Sequence, residues 1–136
     1  SSDTYLLRSF AQLLEDCADK VIVVFGGHRR ANTGISSAEV YNLKNNRWSR
    51  AFFMPRARHS HGMAFVNDTQ VYLVGGQTED GITNTVDMYD LGTLKWAEAP
   101  PMFANRTRPA VASVDHKIYV LGGWAKRTTH WNANGR

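Results

Sequence analysis

The feature of this sequence that most limits its possible folds is a block of similar residues that recurs at a nearly constant interval. The interval from Tyr41 to Tyr89 equals the interval from Trp48 to Trp96. The middle copy, residues 70–102, has a recognisable copy on each side of it. A fixed period of about 50 residues indicates a repeat architecture, either a solenoid or a propeller, in which each unit packs against its neighbours.

Each copy begins with an apolar run that ends in two glycines. The three runs are VIVVFGG at 21–27, VYLVGG at 71–76 and IYVLGG at 118–123. Runs rich in β-branched and aromatic residues, bounded by Gly, Asn and Asp, favour β-strands. An uninterrupted apolar strand is typical of a sheet that is covered on both faces. The glycines fit a strand end where the backbone takes a positive φ or another chain segment approaches closely.

The order of diglycine, tyrosine and tryptophan resembles the kelch repeat over roughly residues 20–136. This resemblance implies an all-β fold, a partial β-propeller with about two and a half four-stranded antiparallel blades. The repeats would span 20–54, 55–102 and 103–136, the last one incomplete, after an N-terminal segment at 1–19. Because known propellers close with about four to eight blades, these residues supply only part of a ring. We therefore expect the isolated chain to be poorly stable or to self-associate through open sheet edges.

The N-terminal segment allows two interpretations. Apolar side chains recur there at spacings of three and four, which is typical of an amphipathic helix; they are Leu6, Leu7, Phe10, Leu13, Leu14 and Cys17. The repeat favours a different structure, because Arg8 stands before Gly26 much as Arg58 stands before Gly75, with only one residue more between them. On that alignment residues 9–14 form a degenerate first strand of the first blade. The sequence leaves both possibilities open.

Composition excludes several classes of function. The net charge of +4 and the pI near 9.5 favour acidic partners. The basic residues are scattered through loops rather than gathered in a nucleic-acid-binding module, so we expect no nucleic-acid partner. We also expect no membrane segment, because no long apolar stretch or signal peptide is present. The single Cys17 fits a reducing compartment, so we expect a cytoplasmic protein, with the nucleus as the second choice.

Two arginine pairs are the main candidates for a binding site. Arg56 and Arg58 precede the first strand of the second repeat, and Arg106 and Arg108 precede that of the third. In kelch domains that this chain resembles, such inter-blade loops line a face that binds an acidic or polar segment of a partner protein. Guanidinium groups suit this role because they pair bidentately with carboxylates. We expect Arg58 and Arg108 to occupy equivalent places on one rim; the structural alternative, in which arginines bind carbonyls between blades, stays open.

The loops between the second and third strands of each repeat would line the same face. Their candidate contact residues are His28, Arg29, Arg30, Gln77, Glu79, Trp124 and Arg127. His59 and His61 form an H-x-H pair, but two ligands make a weak metal site and no third stands nearby. We expect no metal and no cofactor.

The resemblance implies an interaction module rather than an enzyme. Many kelch proteins are substrate receptors of cullin-type ubiquitin ligases, in which an upstream BTB or F-box domain contacts the ligase and the propeller captures the target. A second group binds or cross-links actin, and a third consists of kelch-fold enzymes whose active site would lie outside this segment. We expect the first of these functions, with the other two as alternatives.

Overall fold

The structure is a computed structural model, which describes residues 21–29 and 33–125. Within these ranges the chain is all β, and every sheet is antiparallel. The strands are β1 (Val21–Phe25), β2 (Ile35–Asn42), β3 (Arg47–Arg58), β4 (Gly62–Phe65), β5 (Gln70–Val74), β6 (Gln77–Thr78), β7 (Gly81–Ile82), β8 (Val86–Asp90), β9 (Lys95–Ala99), β10 (Ala110–Val114) and β11 (Lys117–Leu121).

The strands form three blades, which we number in chain order. Blade two is a four-stranded sheet in the order β4-β5-β8-β9. Blade one has three described strands in the order β1-β2-β3, and blade three has two, β10 and β11. A short hairpin, β6-β7, lies in the loop between the second and third strands of blade two. The all-β partial propeller predicted from the sequence is therefore confirmed.

Most strand predictions agree with the structure, but Arg56 and Arg58, which were expected in an inter-blade loop, lie at the end of β3. The apolar runs before the glycines form β1, β5 and β11, and the segments around the tyrosines and tryptophans form the last two strands of blades one and two. The β6-β7 hairpin had no sequence signal. The predicted N-terminal helix, and its alternative as a strand, lie outside the described residues, and the repeat boundaries stay predictions.

The tight turn after the third strand uses the same side-chain chemistry in blades one and two. Asn42 accepts hydrogen bonds from the amides of Lys44 (2.8 Å) and Asn45 (3.3 Å). Asp90, the equivalent residue of blade two, accepts them from the amides of Gly92 (2.8 Å) and Thr93 (3.2 Å). The amides of Thr93 and Gly92 hold the pKa of the Asp90 carboxyl below its usual value. Such side-chain bonds to the backbone replace the ladder where the chain reverses.

The first glycine of the pair is required by the neighbouring backbone in blades one and two. Gly26 and Gly75 have φ values of 64° and 63°, which only glycine adopts without strain. A Cβ on Gly26 would also meet the carbonyl oxygen of Arg58, and one on Gly75 would meet that of Arg106. The inter-blade connection can therefore lie directly against the end of the second strand.

Aromatic side chains form the interface between blades one and two. The Phe52 ring stacks on Tyr89 with 4.1 Å between centroids, and Trp96 lies 6.1 Å from Phe52 and 4.8 Å from Tyr89. The Trp96 indole also donates a hydrogen bond of 3.0 Å to the carbonyl of Phe53. Tyr89 is 1% exposed, and burial raises its pKa to about 12, so the phenol stays neutral. Tyr89 therefore lies within the hydrophobic core, and Trp96 is half-buried against the same core.

Candidate loop face between the blades

Two kinds of loop meet on one face of the blades. The connection from blade one to blade two bonds to the start of the β6-β7 hairpin, because His59 and Gln77 exchange backbone hydrogen bonds of 3.0 and 2.8 Å. The connection from blade two to blade three makes an equivalent pair of bonds, 2.9 and 3.0 Å long, between Thr107 and Trp124, which follows β11 of blade three. We call the surface formed by residues 28–29, 60–61, 77–83, 106, 108–109 and 124 the loop face. The structure thus brings inter-blade connections and strand-two to strand-three loops together.

Arg58 lies under the loop face and joins two blades. Its carbonyl oxygen accepts a hydrogen bond of 3.0 Å from the Gly27 amide of blade one. Its guanidinium donates a 3.1 Å bond to the Gly75 carbonyl of blade two and forms an ion pair with Asp87. Arg58 is 0% exposed and Asp87 is 2% exposed. Burial lowers the pKa of Arg58, and the Asp87 carboxylate opposes that shift. This placement favours the structural alternative for Arg58 over direct contact with a partner.

The structural equivalent of Arg58 in the next connection is Arg106, not Arg108. The Arg106 carbonyl accepts a 2.8 Å bond from the Gly76 amide, and its guanidinium donates a 2.7 Å bond to the Gly122 carbonyl. Both bonds repeat those of Arg58 with a shift of one blade. The predicted equivalence of Arg58 and Arg108 is therefore wrong. The prediction aligned Arg58 with Arg108, each the second arginine of its pair. The hydrogen bonds instead align Arg58 with Arg106, which is the first arginine of the next pair.

Arg108 is the exposed member of its pair. Its equivalent in the preceding connection is Ser60, and both residues have a positive φ, 53° for Arg108 and 54° for Ser60. The Arg108 amide donates a 2.7 Å hydrogen bond to the Ser60 carbonyl, which fixes one connection beside the other. Its side chain is exposed and makes no ion pair within the part of the chain that the structure describes. Arg108 is therefore the most exposed arginine of the four.

Arg56 occupies an intermediate position. Its guanidinium lies 3.4 Å from Asp87 and 3.2 Å from Glu98, so it extends the Arg58–Asp87 pair toward the outer strand β9. The Arg56 side chain is 34% exposed and that of Glu98 is 64% exposed. Because the pair with Glu98 is mostly in water, it adds little stability. Arg56 thus combines a partly structural role with access to solvent.

The remaining candidates fall into three groups. His28, Arg29 and Trp124 are exposed, and Gln77 is half-buried beside His59. The His28 ring lies 5.0 Å from the His59 ring, so loops of blades one and two touch here. Glu79 is exposed on the β6-β7 hairpin. Arg30 and Arg127 lie outside the described residues.

A cleft of about 400 Å³ opens beside the loop face. Its walls are the end of β3, the β6-β7 hairpin and part of the next connection, and its lining residues are Pro55, Arg56, Ala57, Thr78, Glu79, Asp80, Gly81, Ile82, Thr83, Thr85 and Asn105. The cleft offers hydroxyl, amide and carboxylate groups as well as the partly exposed Arg56. The loop face is therefore mixed in charge rather than uniformly positive.

Sequence reasoning missed the buried groups beneath this face. Nothing in the sequence around Asp87 marked it as a candidate site residue. The only hint was the repeat, because Glu39 stands at the equivalent position of blade one and is also a carboxylate. His61 was considered only as half of a weak metal-binding pair, and its surroundings were not predicted. Burial lowers its pKa to about 4, and the positive charge of Arg58 adds to the shift, followed by His59. His61 is therefore neutral at physiological pH.

No helix within 21–29 and 33–125 is long and apolar enough to cross a membrane. Over the same ranges, no group of three or more His, Cys, Asp or Glu side chains is arranged to hold a metal ion.

The sheet order, the inter-blade arginines and the repeated glycines define a β-propeller repeat protein. The chain belongs to the kelch-repeat family, because the family model described as the KLHDC2/KLHL20/DRC7 Kelch-repeats domain matches residues 8–133. The chain is similar to Kelch-like protein 40 of Xenopus laevis, with 29% identity over 107 residues, covering 79% of this chain and 17% of the relative. It is also similar to Kelch-like protein 7 of Rattus norvegicus, with 34% identity over 98 residues, covering 72% of this chain and 17% of the relative.

A viral protein gives a third comparison. The Kelch repeat and BTB domain-containing protein 2 of cowpox virus is 29% identical over 112 residues, which cover 82% of this chain and 19% of that protein. The chain therefore spans less than a fifth of the length of these relatives. Kelch repeats are generally interaction modules without enzymatic activity.

Proposed function

We propose that this chain is part of a kelch propeller that captures a partner protein on its loop face. The observation that carries the proposal is the contrast between two layers. Arg58, Asp87 and Tyr89 form a buried support in which every charge is paired. Above it, the loops present exposed side chains, among them Arg29, Arg108 and Trp124. A rigid support beneath variable loops is the usual arrangement of a binding surface.

The chemistry of the face suits a partner segment rich in acidic and polar groups. Arg29 and Arg108 are exposed cations without an ion pair among the described residues. The Arg106 guanidinium donates a hydrogen bond to the Gly122 carbonyl. Each can accept a carboxylate without breaking an existing ion pair. Gln77 and the exposed Trp124 add hydrogen-bonding and stacking surface. Glu79 and Asp80 on the hairpin would repel an acidic segment, so we expect the segment to run toward Trp124 and away from the hairpin.

We further propose that the longer protein acts as a substrate receptor of a cullin-type ubiquitin ligase, in the cytoplasm or the nucleus. The support for this role is the family membership and the similarity to a viral protein whose name includes a BTB domain. The test is co-purification of a cullin with the full-length protein. Failure to recover a cullin would remove the ligase role and leave partner capture intact.

The binding proposal is tested with two immobilised peptide libraries of equal length, one acidic and one basic. We expect capture by the acidic library that weakens as salt is raised, because the contacts are exposed charges. Equal capture by both libraries would contradict the proposal. Co-sedimentation with actin filaments tests the cytoskeletal alternative, and we expect the chain to stay in the supernatant.

A further inference from the structure

The cleft beside the loop face lies at the junction of blades one and two. One wall is the end of β3, residues 55–57, and the opposite wall is the β6-β7 hairpin. Backbone hydrogen bonds hold this hairpin on both sides, because Gln77 bonds to His59 and the Thr83 carbonyl accepts a 3.1 Å bond from the Arg106 amide. The walls of the cleft are therefore held in place by the backbone rather than by the side chains that line it.

The hairpin turn places two carboxylates at the cleft. Thr78 pairs with Gly81, so Glu79 and Asp80 form a two-residue turn between them. The Thr78 hydroxyl closes this turn with a 3.3 Å hydrogen bond to the Gly81 carbonyl. Glu79 and Asp80 both line the cleft, both are exposed, and neither forms an ion pair within residues 21–29 and 33–125. The turn therefore brings two negative charges to one rim.

The positive charge on the opposite wall is already balanced. The Arg56 guanidinium lies 3.4 Å from Asp87 and 3.2 Å from Glu98. Asp87 is also the ion-pair partner of Arg58. These two guanidinium groups and two carboxylates neutralise one another as a group. The two carboxylates of the turn are not offset, so the cleft is negative although the chain has a net charge of +4.

The uncharged lining suits the remainder of a long basic side chain. Pro55, Ala57 and Ile82 give the cleft an apolar side, on which the methylene stem of a lysine can pack while its ammonium group stays near water. An ammonium group donates three hydrogen bonds and accepts none. Besides the carboxylates of the turn, the Thr78 hydroxyl and the Asn105 amide offer oxygen atoms as acceptors.

The size and position of the cleft fit one side chain of a longer segment. Its volume of about 400 Å³ lies toward the lower end of the range for small-ligand sites, about 300–1,000 Å³. A carboxylate on the same segment would be repelled by the hairpin and attracted by Arg108, which is exposed on the next connection. The binding surface thus has a negative end at the hairpin and a positive end at Arg108.

We propose that the cleft binds a basic side chain, lysine or arginine, of the partner segment whose acidic residues meet Arg108. The segment recognised is then bipolar, with its basic residue at the hairpin and its acidic residues on the side of Trp124. This inference rests on the proposed function and deepens it, because it adds a requirement that a purely acidic segment does not meet.

Peptide titration on the full-length protein tests this requirement. Three acetylated and amidated peptides share one acidic core: one has lysine at its first position and glutamine at its last, one has the reverse, and one has glutamine at both. We expect one lysine peptide to bind about fivefold more tightly than the glutamine peptide, which is the upper end for an ion pair in contact with water. The net charge of +4 acts in the opposite direction, because lysine makes the peptide less acidic.

The double variant Glu79→Gln/Asp80→Asn tests whether the cleft is the source of that preference. We expect this variant to bind the lysine and glutamine peptides equally. Asp68→Asn is the matched control, because Asp68 is an exposed carboxylate in the turn between β4 and β5, at the far end of those strands from the hairpin. The control should keep the lysine preference of the unmodified protein.

The contrary results separate this inference from the proposed function. Equal affinity of the unmodified protein for all three peptides would overturn the inference and leave the capture of acidic segments intact. A lysine preference that survives in the double variant would also overturn it. Absence of binding by every peptide would overturn the proposed function and this inference with it.

Discussion

The sharpest test of the inter-blade scaffold is removal of Arg58. The Arg58→Ala change deletes the guanidinium that pairs with Asp87 and bonds to the Gly75 carbonyl. Asp87 is 2% exposed, so its charge cannot be taken up by water. Removing one partner of a buried ion pair typically costs about 3–5 kcal/mol. Because Arg56 stays 3.4 Å from Asp87 and supplies part of the lost attraction, we expect a cost of about 3 kcal/mol, at the lower end of that range.

Arg106→Ala is the matched control for this change. Arg106 makes the same bond to a glycine carbonyl, at 2.7 Å, but in a more exposed place and without a carboxylate. A hydrogen bond of this kind contributes about 0.5–1.5 kcal/mol net. The difference between the two variants therefore isolates the buried charge. The double variant Arg58→Met/Asp87→Leu should be more stable than Arg58→Met alone, since apolar side chains can replace a buried ion pair at little cost.

Urea unfolding followed by tryptophan fluorescence measures these differences, because Trp96 lies at the interface that Arg58 supports. We expect a lower midpoint for Arg58→Ala than for Arg106→Ala. Equal costs for the two variants, or a further loss of stability in the double variant, would refute the assignment of Arg58 as a buried inter-blade ion-pair residue.

Three further outcomes follow from the same interfaces. His61 has a pKa of about 4 in the folded chain against 6.5 unfolded, so stability should fall as the pH is lowered from 6.5 to 4, by up to about 3 kcal/mol; His61→Asn should lessen that pH dependence in denaturant titrations. Trp96→Ala should lower the free energy of unfolding by about 3–5 kcal/mol, because it is a large-to-small change at an interface. Trp48 stands at the equivalent position of blade one and is 56% exposed, so Trp48→Ala should cost far less. Equal urea midpoints for the two variants would contradict the blade assignment. The isolated chain should self-associate through its open edges, and a strictly monomeric species at all concentrations in analytical ultracentrifugation would contradict this.

The repeat made most of the fold predictable. A constant period that carries a glycine pair, a tyrosine and a tryptophan determines which runs are strands and which neighbours they pair with. The β6-β7 hairpin was not predictable, because its two-residue strands are too short to carry a pattern. The partial exposure of Trp96 could not be predicted from the sequence either, because it depends on how the blades pack together.

The site was less predictable than the fold because its residues act across blades. The two arginines of each pair are alike in sequence, and only the hydrogen bonds to the glycines show that Arg58 corresponds to Arg106. Asp87 is an ordinary acidic residue on a strand until the preceding connection places Arg58 against it. Long-range contacts of this kind leave no local pattern. The exposure of Arg108, which decides whether it can meet a ligand, became visible only in three dimensions.

Calorimetric titration of the full-length propeller with an acidic peptide selected from the library tests the central claim most directly. The variants are Arg108→Ala on the loop face and Arg47→Ala, an exposed arginine at the turn between β2 and β3 that lies outside that face. If Arg108 contacts the peptide, its loss should weaken binding about tenfold, equivalent to about 1.4 kcal/mol, while Arg47→Ala binds as the unmodified protein does. Equal weakening by both variants, or none by Arg108→Ala, would contradict the loop face as the binding surface.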